Sequence, residues 1–424
     1  MNKIIQKFGD YIYKKAGKNP DAARKILTSV YSLSGFQAHY FPSKALMPSR
    51  QFMMWVSAKS ITEPLRKPQK AAIVSIFTPC EMLHAAGIEP MFPEGLSCYL
   101  AASASERYFI ELAEKKGVPE SLCSYHKILI GLVESGVMPK PLFVLNTTLA
   151  CDANQLSFRR AAEYFDIPHY IIDVPLTSDE KSAEYVENQL KEIWEKIKNL
   201  TGEENPDEKL KLSVERSKRT IENYKKYLDL RSTRYISDEM TSEMLSVFAM
   251  HVLLGTADSE EYTRRLCEDT AKKPEGFKGK RLLWVHSLPY WQDSMREIFN
   301  FNERCEVVSC DMTFDSLETG DVKNPFDFMA KRTVSCSFNG GWERRSELCR
   351  SFAEKMHADG IIYFCHWGCK QTMGSCVLSK RMFEESGIPT LILDGDGCDT
   401  RNISDGQMVT RVTAFIEQLE NGGK

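Results

Sequence analysis

The sequence LFVLNTTLACDANQLSFRRAAEYFDIPHYIIDVP at residues 142–175 and the sequence GIIYFCHWGCKQTMGSCVLSKRMFEESGIPTLILDGD at residues 360–396 follow one pattern. Each begins with an apolar run of strand length and then breaks into a polar turn that carries a cysteine. A helical segment follows, and each copy then reaches Ile-Pro and a second apolar run that ends in aspartate, at Asp173 and Asp394. The pattern predicts two copies of a unit made of a strand, a turn with a thiol, a helix and a second strand. Such units are typical of an α/β fold with parallel sheets.

The two cysteines of this repeat, Cys151 and Cys369, are predicted to lie at the carboxyl ends of strands. In parallel α/β sheets ligands gather at these ends, where helix N-termini supply positive partial charge that favours a thiolate. Residues 71–92, AAIVSIFTPCEMLHAAGIEPMF, repeat the pattern with Cys80 in the thiol position. Thiols in such turns can therefore converge on one anionic cofactor.

Charge and apolar patterning divide the chain into four predicted regions. A helical N-terminal segment over 1–70 precedes a first α/β lobe over 71–177, a charged helical connecting region over 178–275 and a second α/β lobe over 276–424. The charged region has apolar residues at helical spacing, as in long helices that are packed by one stripe. Two similar lobes joined by helices form a crevice, and we expect the chemistry to lie there.

The composition argues against several classes of protein. With 55 basic and 58 acidic residues the net charge is −3, so no nucleic-acid-binding surface is indicated. No stretch approaches the roughly 20 apolar residues that cross a bilayer, and the N-terminus lacks the apolar core of a signal peptide. We therefore expect a cytoplasmic protein that has neither a membrane nor a nucleic acid as its partner.

Thirteen cysteines in such a chain need a reason, because disulfides are rare in the cytoplasm. Five of them are interpreted as small buried hydrophobic residues: Cys267, Cys305, Cys310, Cys336 and Cys349. The other eight lie in turn-rich or Gly-rich contexts, where ligation of a metal or cluster is a stronger hypothesis than simple burial. Among these, Cys123, Cys151 and Cys369 stand out. Ligands from separate loops suit a cluster held between structural units, and three thiolates on a cubane leave one iron open.

Small and polar residues accompany these cysteines. Thr147, Thr148 and Gly368 offer the small surroundings and the available backbone N–H groups that cluster sulfurs need. Cys80 is expected either beside the cluster or buried under the turn that follows it. Cys365 is either a fourth ligand or, as we favour, the end of a buried strand.

Three side chains are candidates for donating a hydrogen bond to cluster sulfide or to a negatively charged substrate group. His366 and Lys370 flank Cys369, and His126 follows Cys123. The alternative for each is an ordinary surface or hydrogen-bonded side chain.

Several segments resemble the family of 2-hydroxyacyl-CoA dehydratases, in particular its branch of double-cubane cluster proteins. The segments are FTPCEMLHAAGIEPMFPEG, CSYHKILIG, TTLACDAN, and YFCHWGCKQTMGSCVLSK with the following IPTLILDGDGCDTRN. The resemblance runs from about residue 71 to the C-terminus and is weaker in the charged middle. It implies two flavodoxin-like parallel-sheet lobes plus a helical portion, and an iron–sulfur cluster bound by three cysteines, which fall on Cys123, Cys151 and Cys369.

The resemblance also implies low-potential chemistry driven by a second protein. In the family, an activator ATPase that carries its own iron–sulfur cluster docks on the dimer and injects one electron. This chain has no glycine-rich Walker loop, so we expect the ATP site on a separate activator.

The two branches of the family imply different cofactors and partners. Double-cubane proteins resemble homodimeric reductases of small molecules, with two cubanes joined by a bridging sulfide (8Fe-9S). Dehydratases usually have two different subunits, bind a 4Fe-4S cluster and eliminate water from a 2-hydroxyacyl-CoA through a ketyl radical. The wording of CSYHKILIG and CHWGCKQTMG, together with Cys80, favours the first branch. A non-catalytic metal-binding α/β scaffold is a third alternative.

Overall fold

Two four-stranded parallel sheets form the framework of the computed structural model, which describes residues 3–289 and 291–422. The first sheet contains β1 (Ala71–Val74), β2 (Glu89–Met91), β3 (Val144–Thr147) and β4 (His169–Ile172). The second sheet contains β5 (Lys280–Val285), β6 (Cys305–Cys310), β7 (Gly360–His366) and β8 (Thr390–Gly395). The strand orders, β2-β1-β3-β4 and β6-β5-β7-β8, are equivalent. The predicted α/β fold with two parallel-sheet lobes is therefore confirmed.

Helices connect and cover the strands. They are α1 (Lys3–Ala16), α2 (Pro20–Tyr40), α3 (Pro48–Arg66), α4 (Glu81–Ala85), α5 (Pro93–Ala102), α6 (Arg107–Lys115), α7 (Ser124–Ser135), α8 (Asp152–Phe165), α9 (Glu180–Ile197), α10 (Pro206–Thr233), α11 (Met240–Met250), α12 (Ala257–Ala271), α13 (Asp293–Phe299), α14 (Pro325–Val334), α15 (Trp342–Lys355), α16 (Lys370–Met373), α17 (Cys376–Glu385) and α18 (Asp405–Glu420). Short 3-10 turns lie at Pro68–Lys70, Asp311–Thr313 and Thr400–Asn402. Within residues 3–289 and 291–422, no helix is both long and apolar enough to cross a membrane.

The central strands are buried along their whole length. All four residues of β1 are buried, and so are all seven of β7. This is the pattern expected of parallel strands that cannot show a face to solvent. The two cysteine-bearing stretches become β3-α8-β4 and β7-α16-α17-β8, and they occupy the same position in their respective sheets.

The charged middle of the chain forms long helices, as its periodicity predicts. On α9 the buried apolar side chains fall on one stripe: Ala183, Val186, Leu190, Ile193, Trp194 and Ile197. Asp179 caps the start of this helix by accepting a hydrogen bond from the Ser182 backbone N–H at 2.8 Å. The helix α10 packs against both α4 and α12.

Buried ion pairs join these helices to both sheets. Glu81, the first residue of α4, pairs with Arg332 of α14 at 3.2 Å and accepts a hydrogen bond from Ser217 of α10. Arg231 of α10 pairs with Glu306 of β6 at 2.7 Å. Removing one partner of such a pair leaves an uncompensated buried charge, typically at a cost of about 3–5 kcal/mol. These contacts therefore hold the two sheets in a defined relation across the cavity described next.

Candidate functional site

Three cysteines stand immediately before three helices and line one cavity between the sheets. Cys123 precedes α7, Cys151 precedes α8 and Cys369 precedes α16. Cys123 is buried, whereas the other two are half-buried. Free backbone N–H groups at a helix start favour negative charge, so these positions suit thiolates. The structure thus brings together the three residues that the sequence singles out as ligands.

The three sulfurs influence one another electrostatically. Burial raises the pKa of the Cys123 thiol well above its usual range, and Cys369 and Cys151 raise it further. Burial, followed by the charge of Cys369, raises the pKa of Cys151 to about 12. The thiols of Cys123 and Cys151 are therefore protonated near pH 7 unless a positive centre, such as a metal core, lies beside them and favours the thiolates.

Two buried histidines contact two of these sulfurs. The His366 Nε2 lies 3.2 Å from the Cys123 Sγ, and its Nδ1 accepts a hydrogen bond from the Gly397 backbone N–H at 3.0 Å. Because Nδ1 is an acceptor, the ring proton sits on Nε2 and is donated to sulfur. Burial lowers the pKa of His366, so the ring is neutral near pH 7.

His126 has the same relation to Cys151. Its Nε2 lies 3.3 Å from the Cys151 Sγ, and its Nδ1 lies 2.8 Å from the Ser157 hydroxyl. That hydroxyl can turn its single proton toward Nδ1 or toward the Ala153 carbonyl at 2.9 Å, so either tautomer of His126 is satisfied. Burial lowers the pKa of His126 to about 3. Both histidines are therefore uncharged near neutral pH, and His126 donates to sulfur when its proton is on Nε2.

Gly368 explains how the second repeat reaches Cys123. Its φ is +78°, and a Cβ atom added at this position would lie 2.6 Å from the Cys123 backbone nitrogen. Only glycine tolerates both this conformation and this approach. The loop after β7 therefore packs on the start of α7, and Cys369 follows at the next position.

Gly368 itself and four other predicted site residues are not among the residues that line the cavity. Thr147 is fully buried at the end of β3. Thr148 donates to the Asp173 carboxylate at 3.2 Å, and its hydroxyl also accepts from the Val174 backbone N–H. The remaining two are Cys80, which is fully buried and donates to the Thr78 carbonyl, and Lys370, which is exposed at the start of α16.

The cavity encloses about 840 Å³, part of it open to solvent. Its apolar wall is formed by Ile76, Phe77, Phe92, Met244, Val247, Phe248, Met312 and Phe338. Several buried polar atoms of the wall have no hydrogen-bond partner among the described residues, among them Glu94 Oε2, Asn154 Oδ1 and His286 Nδ1. Native proteins rarely leave such atoms unpaired, so these atoms are available to a ligand or to water in the cavity.

Glu94 is the one carboxylate of this wall among the described residues. Its Oε1 accepts a hydrogen bond from the Ile76 backbone N–H at 3.3 Å, while Oε2 is free. Burial raises its pKa to about 7. A carboxyl group with this pKa can both hold and release a proton at neutral pH.

The donor set around the cavity consists of three cysteine thiols, which are the usual protein ligands of iron–sulfur clusters. Among the residues the structure describes, no three His, Cys, Asp or Glu side chains converge closely enough to hold one metal ion. The three thiols are instead spread around a shared cavity. Thiolates that bind separate irons of one cluster are arranged in this way, whereas a tetrahedral zinc site draws its ligands to one point.

Comparison with known proteins identifies the family. Residues 75–419 match the family model described as 2-hydroxyglutaryl-CoA dehydratase, D-component. The chain belongs to this family. It is 22% identical over 366 residues to the (R)-phenyllactyl-CoA dehydratase alpha subunit of Clostridium sporogenes, covering 80% of this chain and 87% of that protein.

Further relatives are named as dehydratases and as a reductase. The lactoyl-CoA dehydratase subunit alpha of Anaerotignum propionicum is 21% identical over 412 residues, which is 88% of this chain and 97% of the relative. The benzoyl-CoA reductase of Thauera aromatica has a subunit that is 22% identical over 348 residues, or 73% of this chain and 79% of the relative. This chain is therefore an enzyme of the 2-hydroxyacyl-CoA dehydratase family.

Several residues of the cavity are not apparent from the sequence of this family member. Glu94 lies in the apolar run MFPEGLSCYL, where a lone carboxylate among apolar residues is the only local signal. His286 has φ +79°, an unusual conformation for a non-glycine residue, and nothing in RLLWVHSL indicates it. Both reach the cavity only through the tertiary fold.

Proposed function

We propose that this enzyme holds an iron–sulfur cluster through Cys123, Cys151 and Cys369 and carries out low-potential reduction of a small molecule in the adjoining cavity. The observation that carries the proposal is the meeting of three thiols from three separate helix starts in one cavity, two of them in contact with a neutral histidine. A bound cluster would supply electrons at low potential to a molecule beside it.

The chain's own residues have distinct roles in this proposal. His366 and His126 donate hydrogen bonds to the sulfurs of Cys123 and Cys151, which stabilises the thiolate form and fixes the direction of each sulfur. Their lowered pKa values keep them uncharged near neutral pH, so they orient sulfur and do not exchange protons with a substrate.

Glu94 is the proton-exchanging group of the cavity. Its free Oε2 and its pKa of about 7 suit it to give a proton to a reduced substrate or to take one from it. The apolar residues around it exclude water, so a proton delivered there is not lost to bulk solvent.

Electrons are proposed to come from a separate activator ATPase that carries its own cluster, as the family resemblance implies.

Two forms of the enzyme are compatible with this proposal. In the form that the sequence motifs favour, the chain is a cytoplasmic homodimer with an 8Fe-9S double cubane and acts as a reductase. In the second form it is one component of a 2-hydroxyacyl-CoA dehydratase with a 4Fe-4S cluster and a different partner subunit. The alpha and beta subunit names of its relatives favour this second form.

Anaerobic purification with iron and acid-labile sulfide analysis tests the proposal. We expect a brown protein with charge-transfer absorbance. A colourless, iron-free protein, or one that contains zinc alone, would contradict the cluster and support a non-catalytic scaffold. More sulfide than iron in a homodimer indicates the double cubane, whereas equal amounts and a need for a second subunit indicate the dehydratase.

A further inference from the structure

The wall of the cavity carries no positive side chain. Of the 22 described residues that line it, none is lysine or arginine. Two buried cations act on its histidines from behind the wall, but each is already paired with a carboxylate. Arg345 donates to the Asp311 carboxylate at 2.7 Å and to the Gln371 side chain of the wall at 3.3 Å, and Lys127 donates to Glu114 at 3.0 Å. An anion that enters the cavity therefore finds no counterion among these residues.

Negative groups already occupy the cavity. Glu94 presents its free Oε2, and the three cysteines are thiolates whenever they ligate metal. Moving an ionised carboxylate from water into such a place costs free energy unless a partner neutralises it. The cavity is thus selective against a substrate whose reacting part is anionic.

Aromatic rings shape the space that remains. Phe92 and Phe248 meet edge to face with their centroids 5.4 Å apart, and Phe77 and Phe338 lie 5.2 Å apart in a tilted pair. All four rings line the same cavity. Rings in this arrangement offer apolar surface and edge contacts to a planar or branched hydrocarbon group.

We infer that the cavity takes a mainly apolar group without a negative charge, with one polar atom directed at Glu94, and rejects a group that ends in a carboxylate. This inference rests on the proposed function for its link to catalysis, and it names the substrate class. A glutaryl-type tail, which carries a second carboxylate, is excluded on this basis. A small aromatic or branched aliphatic tail is accepted.

Three probes of similar shape and different charge test the inference directly. Benzyl alcohol, benzoate and benzylamine are titrated into the anaerobically purified full-length protein at pH 7, with binding followed by ligand-observed NMR. Benzyl alcohol should bind at least about tenfold more tightly than benzoate, a difference of about 1.4 kcal/mol, and benzylamine should also bind more tightly than benzoate because Glu94 can neutralise its charge. A smaller difference, a different order, or no binding of benzyl alcohol would overturn the inference.

Two lysine substitutions provide a matched pair. Met244→Lys places a flexible cation in the cavity wall, whereas Leu33→Lys places one on the exposed face of α2, which does not line the cavity. Met244→Lys should reduce the preference for benzyl alcohol over benzoate, and Leu33→Lys should leave it unchanged. An unchanged preference in a folded Met244→Lys protein would contradict the inference.

Glu94→Gln removes the carboxylate without changing the size of the side chain. It should weaken discrimination against benzoate while benzyl alcohol still binds. If Met244→Lys fails to fold, Glu94→Gln tests the inference in its place. Iron is measured on every sample, which separates the two proposals. Loss of the binding order in an iron-loaded protein refutes the substrate class alone, whereas an iron-free protein with the order intact refutes the proposed cluster alone.

Discussion

The two cysteine-bearing repeats hold equivalent positions in their sheets but are built differently around the sulfur. In the first repeat Ala150 precedes Cys151 with φ +63°, and α8 then runs for 14 residues. In the second repeat Gly368 precedes Cys369 with φ +78°, and α16 has only four residues. Helix length is therefore not the shared requirement. Both repeats share a left-handed residue directly before the cysteine, which turns the chain as the thiol enters the cavity.

The residue before each cysteine differs because its surroundings differ. A methyl group at position 368 would overlap the backbone of Cys123, whereas the methyl group of Ala150 faces the cavity, where there is room. The first repeat accepts the strain of a left-handed alanine, about 1–2 kcal/mol, and the second cannot.

The largest expected effect comes from removing the sulfur of either repeat. Cys151→Ser and Cys369→Ser should each lose most of the bound iron and all activity, because hydroxyl is a poor ligand for cluster iron. The fold should remain, since both residues lie at the cavity and outside the sheet cores. Iron analysis with circular dichroism measures both outcomes.

Cys267→Ser is the matched control for these two variants. Cys267 is half-buried on α12 and donates to the Asn223 carbonyl, away from the cavity wall. It should keep its iron. A Cys151→Ser protein with a full cluster would show that the ligand assignment is wrong.

Exchanging the residues before the two cysteines sharpens the comparison. Gly368→Ala should destabilise the protein by more than the roughly 1–2 kcal/mol of a left-handed alanine, because its methyl group also meets the Cys123 backbone. Ala150→Gly should change stability by less than about 1 kcal/mol. Urea unfolding measures both. Equal effects of the two substitutions would refute the difference between the repeats.

The histidine contacts should have intermediate effects. His126→Phe removes the donor to Cys151 and should lower iron affinity or activity about tenfold to a hundredfold, the range for groups that support metal ligands. His366→Phe should cost more, since His366 also accepts from the Gly397 N–H, and that donor would be left buried and unpaired. An iron titration that ranks the two variants in the opposite order would contradict these roles.

The pKa of Glu94 predicts a dependence of stability on pH. The folded protein holds this proton more tightly than the unfolded chain, because burial raises the pKa from 4.5 to about 7. The resulting stabilisation is present below about pH 4.5 and is lost as the pH rises through 7. Glu94→Gln should therefore be more stable than the unsubstituted protein at pH 8, by about 1–3 kcal/mol. Near pH 5 the two should unfold alike, and a constant difference across this range would contradict the raised pKa.

The smallest effect is expected at Thr148, which joins the ends of β3 and β4. Thr148→Val removes the bonds to Asp173 and Val174 and should cost about 1 kcal/mol in thermal or urea unfolding. Iron content should not change, because Thr148 does not line the cavity. Loss of iron in this variant would instead favour the sequence-based prediction that Thr148 contributes to the cofactor site.

The sequence predicts the sheets well because their signals are local. The apolar runs of β3, β4, β7 and β8, and the Ile-Pro before β4 and β8, stand out without knowledge of the fold. The order of strands does not, since it depends on pairing between distant segments such as β1 and β3. The limits of the four regions remain predictions.

The site is predictable where a residue type carries its own chemistry. Cysteines in turns and the histidines beside them are visible in the sequence. Cys123 follows no strand of the repeat, so its prediction as a ligand rests on its loop context and on the family resemblance. Glu94 and His286 acquire their character from burial, so a local pattern does not reveal them. Conversely, Thr148 and Lys370 have suitable chemistry but lie outside the cavity wall.

An anomalous-scattering map at the iron edge, from anaerobically grown crystals, tests the central claim most directly. We expect several iron peaks in the cavity between the sheets, bounded by Cys123, Cys151 and Cys369. A map with no iron there, or with one isolated metal ion bound elsewhere, would contradict the proposed cluster.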